Sequence, residues 1–195
     1  MAALTSAPPP QLVFVDGDFN DLAQEMGEYL RIGDDVKPLL AEKVDGDSPS
    51  PAKEEVLAKL VRASPALLSV PEKEFTAASN LLIFLVLKSS EPKKHLPTLC
   101  GTFSKPITTS PIHGAGLSLG ALTTVFNLLQ VNDPIRFNVF MTVLRFLKQH
   151  GMFETAQPYL KNLPDWFESW GTGEEAQRQM YEEIAEVAAE AGKEE

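Results

Sequence analysis

Apolar residues recur at helical spacing along almost the whole chain. Phe19, Leu22, Met26 and Leu30 fall on one face, and Asp18 before them suits an N-cap. Val56, Leu57, Leu60 and Val61 form a second stripe, with Ser50 as the predicted cap and Pro51 at the first helical position. "VDGDSPSP" between them reads as a linker. "SPALLSV" interrupts the pattern, and a further helix is predicted from Pro71 to Lys88. Within it "LLIFLVL" alone fits a buried strand equally well, because a short apolar run has no decisive period. The helix-forming "EKEFTAASN" before it, with no turn signal between, favours helix. A short helix is expected around Leu96–Phe103, a loop over Lys105–Gly116, and helix again over Leu117–Gln130. A short helix near Glu154–Asn162 and one opening at Pro164 follow. Thr172 and Glu175 make a capping box for a last helix, on which Met180, Tyr181, Ile184, Val187 and Ala188 share a face.

The stretch "VNDPIRFNVFMTVLRFLKQHG" (Val131–Gly151) carries the densest pattern. Asp133 is its cap, Pro134 its first helical residue and Gly151 its stop. At 100° per residue Asn138, Thr142, Arg145 and Gln149 make a narrow polar stripe. Ile135, Val139, Phe140, Val143, Leu144, Phe146 and Leu147 fill much of the remaining circumference. Such a helix needs neighbours on more than one side, as in a layer of stacked helices. Arg136 lies nearly opposite the polar stripe. It therefore needs a partner, and a carboxylate or several backbone carbonyls of an adjacent helix are expected to supply one.

Predicted helix starts near 51, 72, 96, 117, 134, 154 and 173 lie 17 to 24 residues apart. Two helices per ~40 residues is the rhythm of helical-repeat solenoids, although a compact bundle gives similar spacing. The fold class expected is all-α: stacked helix pairs in a right-handed, HEAT- or TPR-like solenoid. Residues 1–16, rich in proline and alanine, are expected to be a disordered lead. Residues 17–195 are expected to form one helical-repeat domain with internal loops near 44–50 and 104–116.

Charge changes this picture little. Residues 1–50 carry ten acidic and three basic side chains, residues 51–173 nine and twelve, and residues 174–195 eight and two. Two acidic ends repel a phosphate backbone, so direct nucleic-acid binding is not expected. No apolar run approaches the ~20 residues of a membrane span, and the start of the chain has no signal-peptide pattern. The single cysteine, Cys100, cannot form an internal disulfide, which fits a reducing compartment.

The signals for chemistry are weak. "GAGLSLG" (Gly114–Gly120) loosely resembles a dinucleotide-binding loop, but its third glycine comes one residue late and no strand precedes it. It reads instead as a flexible loop entering a helix. "DGDFND" (Asp16–Asp21) lacks the glycine and glutamate of a calcium loop and reads as a capped helix start. His95, His113 and His150 lie far apart, each expected at a surface or a helix end. No catalytic, cofactor-binding or metal-ligating residue is assigned, and no cofactor. Trp166 and Trp170, four apart, share a helix face and suit a core anchor better than a partner-binding one.

Over about residues 117–190 the chain resembles the helical-repeat part of the subunit M family of eukaryotic translation initiation factor 3, a group of PCI-domain proteins. Leu122, Val125, Phe126 and Asn127 match an L-x-x-[LV]-F-[NH] helix. Asn132, Pro134, Ile135, Arg136, Phe137, Val139 and Phe140 match N-x-P-[IV]-R-[FY]-x-V-[FY]. Trp166, Phe167 and Trp170 match W-[IF]-x-x-W, followed by a helix carrying Tyr181. The resemblance implies structural roles for Phe126, Asn127, Asn132, Pro134, Arg136, Phe137, Trp166, Trp170 and Tyr181. It implies a non-enzymatic, cytoplasmic scaffold that binds other PCI subunits and MPN subunits of the factor, and through them the small ribosomal subunit. A scaffold subunit of the proteasome lid or the signalosome is the alternative. Members of the family end in a winged-helix module, for which no strand pattern occurs before Glu195. The chain is thus expected to be an N-terminal part of a longer protein, or a short member. Met180 and Ile184 on the last helix are then expected to face a partner, or a second copy of the chain.

Overall fold

The computed structural model describes residues 18–41 and 51–192. The predicted lead over 1–16, the linker near 44–50 and the Ser50 cap lie outside these residues. Every regular element among the described residues is helical. The described residues divide into two compact units, one within 18–121 and the other over 122–192.

The first unit opens with α1 (Phe19–Tyr29), where the Asp18 carboxylate accepts the Asp21 backbone N–H at 2.9 Å. This is the capping bond its sequence predicts. Arg31 follows with φ 62°, and the Ile32 N–H returns to the Gly27 carbonyl at 2.8 Å. That left-handed residue turns the chain into α2 (Gly33–Leu40), which the sequence reading misses. Pro38 inside it and "GDD" at its start look like turn chemistry, and only Val36 is buried. Next come α3 (Pro51–Arg62), a 3₁₀ segment (Ser64–Ser69), α4 (Glu72–Leu87) and α5 (Pro92–Phe103).

Helix α3 buries the Val56, Leu57, Leu60 and Val61 stripe, and packs against α4 and α5. "LLIFLVL" is helix, and five of its seven side chains are buried. The ambiguous period has a simple cause: α4 is covered on most of its circumference, so no polar face marks its turns. Helix α5 starts four residues before the predicted Leu96.

The predicted loop over Lys105–Gly116 ends early, because α6 (Gly114–Leu128) takes in Gly114 and Gly116. Nor is the preceding segment loosely held. Thr108 and Thr109 hydroxyls donate to the Leu68 and Val70 carbonyls at 2.8 and 2.7 Å, and Ile107 is buried. A Cβ on Gly114 would meet the Ile107 carbonyl oxygen at 2.5 Å, which accounts for glycine there. "GAGLSLG" is therefore two turns of helix packed on a fixed segment, not a flexible loop.

The second unit holds the end of α6, then α7 (Ile135–Gln149), two 3₁₀ segments (Phe153–Thr155 and Gln157–Asn162), α8 (Leu163–Trp170) and α9 (Glu174–Gly192). The 3₁₀ segments stand where a short helix was expected. Helix α7 buries eight side chains while Asn138, Arg145 and Gln149 stay exposed, so the narrow polar stripe is present. It packs against both α8 and α9. Gly151 and Gly171 adopt left-handed backbone (φ 64° and 63°). The N–H of the residue after each glycine, Met152 and Thr172, then returns to the Leu147 and Phe167 carbonyls, at 2.9 Å each.

This ending removes the predicted capping box. The Thr172 N–H that Glu175 would accept is already given to Phe167, and Glu175 instead receives Arg178 Nη2 at 2.6 and 2.7 Å. The partner-facing assignment of Met180 is also corrected: its side chain is 0% exposed. Helix α9 lies on α7, with Arg145 Nε donating to Glu183 at 3.0 Å and Lys148 paired with Glu186. Ile184 is half-buried.

Candidate functional site

The residues that carry the family pattern converge on the junction of α6, α7 and α8. Phe126 lies in the last turn of α6, where carbonyls have no intrahelical donor. Arg136, in the first turn of α7, is 1% exposed. Its Nε donates to the Phe126 carbonyl at 3.1 Å and its Nη1 to the Val131 carbonyl at 3.3 Å. Its guanidinium carbon also stands 3.9 Å from the centroid of the Phe126 ring. One side chain therefore closes the end of α6, spans the α6–α7 turn and lies on an aromatic face. Burial pulls the Arg136 guanidinium down to about 10, partly opposed by the Asp133 carboxylate, so it remains charged at neutral pH. Asp133 also caps α7 locally, its Oδ1 accepting the Ile135 N–H at 3.1 Å, one residue later than the predicted start.

Aromatic rings surround this point. Trp166 and Trp170 stack with centroids 5.6 Å apart. The Phe126 ring lies 5.4 and 6.1 Å from them, and Phe140 lies 5.2 Å from Trp166. Trp170 Nε1 donates to the Val131 carbonyl at 3.1 Å, so Trp170 and Arg136 share one acceptor. Both tryptophans are buried, as core anchors that seat α8 on α6 and α7. Phe167 stands edge-on to Trp170 at 6.3 Å and to Tyr181 of α9 at 5.6 Å.

The remaining assigned residues differ in setting. Asn127 is buried in the last turn of α6. Phe137 is half-buried with its ring 6.5 Å from Trp170, Tyr181 is 48% exposed, and Asn132 and Pro134 are exposed in the turn. Two participants were not assigned from sequence. Val131 acts through its carbonyl, which no side-chain pattern can report. Phe140 matches the family pattern there but is given no role of its own. The arrangement is a fastening: a buried cation, two carbonyls and a ring cluster, with the guanidinium closed to solvent.

A second polar cluster lies in the first unit. His95, expected at a surface or a helix end, stands in the first turn of α5 and is buried, with Nε2 3.8 Å from Glu54 Oε2 of α3. Glu54 accepts from the Ser89 hydroxyl (3.0 Å), the Ser90 hydroxyl (2.9 Å) and the Ser90 N–H (3.2 Å). These bonds and His95 together outweigh the opposing effect of burial and hold the Glu54 carboxyl below the usual glutamate value. Close by in sequence, burial pushes the Cys100 thiol up to about 12, which makes it a core residue without thiolate character. No group of three or more metal-ligating side chains occurs among the described residues, and no described helix is long and apolar enough to cross a membrane.

The chain matches no family model and no solved structure. It is similar to curated proteins named eukaryotic translation initiation factor 3 subunit M. That of Chaetomium globosum is 52% identical over 186 residues, which is 95% of this chain and 42% of that protein. That of Pyricularia oryzae is 50% identical over 194 residues, 98% and 43% of the two chains. That of Phaeosphaeria nodorum is 36% identical over 195 residues, 96% and 44%. The chain spans less than half the length of these relatives.

Proposed function

From the membership of this chain in the eukaryotic translation initiation factor 3 subunit M family, we propose that it acts as a non-catalytic helical scaffold within that factor. Its role is to hold other subunits, of the PCI and MPN kinds, in place as the factor assembles on the small ribosomal subunit in the cytoplasm. The observation that carries this reading is the similarity over nearly the whole chain to proteins of that name. The fastening at Arg136 supports it, because it spends the most distinctive residues on fixing helices rather than on reactive groups. A rigid layer of helices is what a scaffold presents to its neighbours.

Purification of the tagged full-length protein from its own cells tests the proposal. Initiation factor subunits and small-subunit ribosomal proteins are expected to copurify. Proteasome-lid or signalosome subunits in their place would overturn it. The chain alone, added to the purified factor, is expected to compete for a subset of those contacts.

A further inference from the structure

A groove of about 660 Å³ lies in the first unit, where the end of α1 meets the turn into α4. Val70 and Pro71 give it apolar walls, and Glu25, Glu28, Tyr29 and Glu74 also line it. Among the described residues none of the three carboxylates has a cation at ion-pair distance, whereas the glutamates of α9 at 175, 183 and 186 are all paired. Glu25 and Glu28, three apart on α1, repel one another on one helix face. The groove also acts on Tyr29, whose phenol is pushed above its ordinary value by burial first and then by Glu25 and Glu74. Two carboxylates on different helices thus act on one ring at an apolar concavity.

We propose that this groove docks a segment of a partner protein carrying a lysine or arginine beside an apolar residue. The aliphatic stem of the basic side chain lies along Val70 and Pro71, with its charged head among Glu25, Glu28 and Glu74. The Tyr29 ring offers that head an aromatic face. The neighbouring apolar residue uses the rest of the lining. Charge complementarity selects this partner: an acidic segment is repelled, and an uncharged one leaves the carboxylates unrelieved. Arg31 lines the same groove, and against the three glutamates it leaves the lining net negative.

The test titrates the isotopically labelled chain with a short peptide in which leucine alternates with lysine or arginine, following backbone amide shifts. Shifts are expected to centre on Tyr29, Val70 and Glu74. The Glu25→Gln/Glu74→Gln chain, checked for an unchanged amide spectrum elsewhere, is expected to bind about three- to tenfold more weakly. A Glu182→Gln/Glu186→Gln chain is expected to bind as the parent does, and a peptide with glutamate for its basic residues not to bind. Shifts spread over the α9 glutamates, or equal affinity in the Glu25→Gln/Glu74→Gln chain, would overturn the proposal. A salt-sensitive dimer centred on Tyr29 would assign the groove to a second copy of the chain and overturn it too.

Discussion

A cation in the first turn of α7 meets the positive end of that helix's dipole, which disfavours it. Arg136 escapes by reaching across the turn to the carbonyl end of α6, where positive charge is favoured and acceptors are unfilled. Removing it leaves the Phe126 carbonyl without this donor at a buried position. Arg136→Met is therefore expected to destabilise the chain by about 2 kcal/mol, and Arg136→Lys by about 1 kcal/mol, since lysine keeps the charge but not the planar fork. Urea unfolding of both variants measures this. Arg136 and Trp170 donate to the same Val131 carbonyl, so each single variant leaves one donor behind. Arg136→Met and Trp170→Phe together are expected to cost about 0.5–1 kcal/mol more than their sum. Strict additivity would show that the shared carbonyl does not couple them. Arg31 presents the opposite situation, a non-glycine residue at φ 62° in the α1–α2 turn. Glycine avoids the Cβ clash of that conformation, so Arg31→Gly is expected to raise stability by about 1 kcal/mol, visible as a higher melting temperature. The need for a partner at Arg136 is readable from its angular position. The strain at Arg31 is not, because arginine carries no turn signal.

At the scale of elements, α3, the α4–α5 turn and α5 meet at Glu54. The folded Glu54 carboxyl lies below its unfolded value, so its contribution is full above the ordinary glutamate range and is lost as pH falls through the lowered folded value. The urea midpoint of the parent is thus expected to fall more steeply on acidification than that of Glu54→Gln, with the two curves converging at low pH. Parallel curves would remove Glu54 from the acid response. Helix α9 was legible as an amphipathic helix, but not its destination. Met180 of its apolar stripe is fully buried within its own unit, Ile184 is half-buried and Tyr181 stays exposed, and two ion pairs join the helix to α7. Met180→Ala is expected to cost about 2–5 kcal/mol, the range for emptying a packed core site. A loss below about 0.5 kcal/mol would place Met180 at a surface instead. The capping box at Thr172 shows how a local pattern fails: its donor is taken by the helix ending just before it.

At the scale of the molecule, covering Met180 takes away one of the two residues on which a second copy was expected to sit. The chain is expected to sediment as a monomer, with no change in Ile184→Ser. A dimer lost in that variant would restore the α9 face as an interface. Most of the helices could be read in advance, because a period of 3.6, a capping aspartate and a terminating glycine act within one or two turns of their own backbone. Asp18, Gly151 and the stripe on α3 are of this kind. The all-helical fold class follows from them. What could not be read are pairings between groups far apart in the chain: His95 with Glu54, Trp170 with the Val131 carbonyl, Arg145 with Glu183. Whether two such groups meet depends on how helices cross and how side-chain volumes fill the space between them, and no single segment contains that information. Arg136 stands between the two cases. Its angular position on α7 announces a buried charge, and the packing of α6 against α7 selects the carbonyls that receive it.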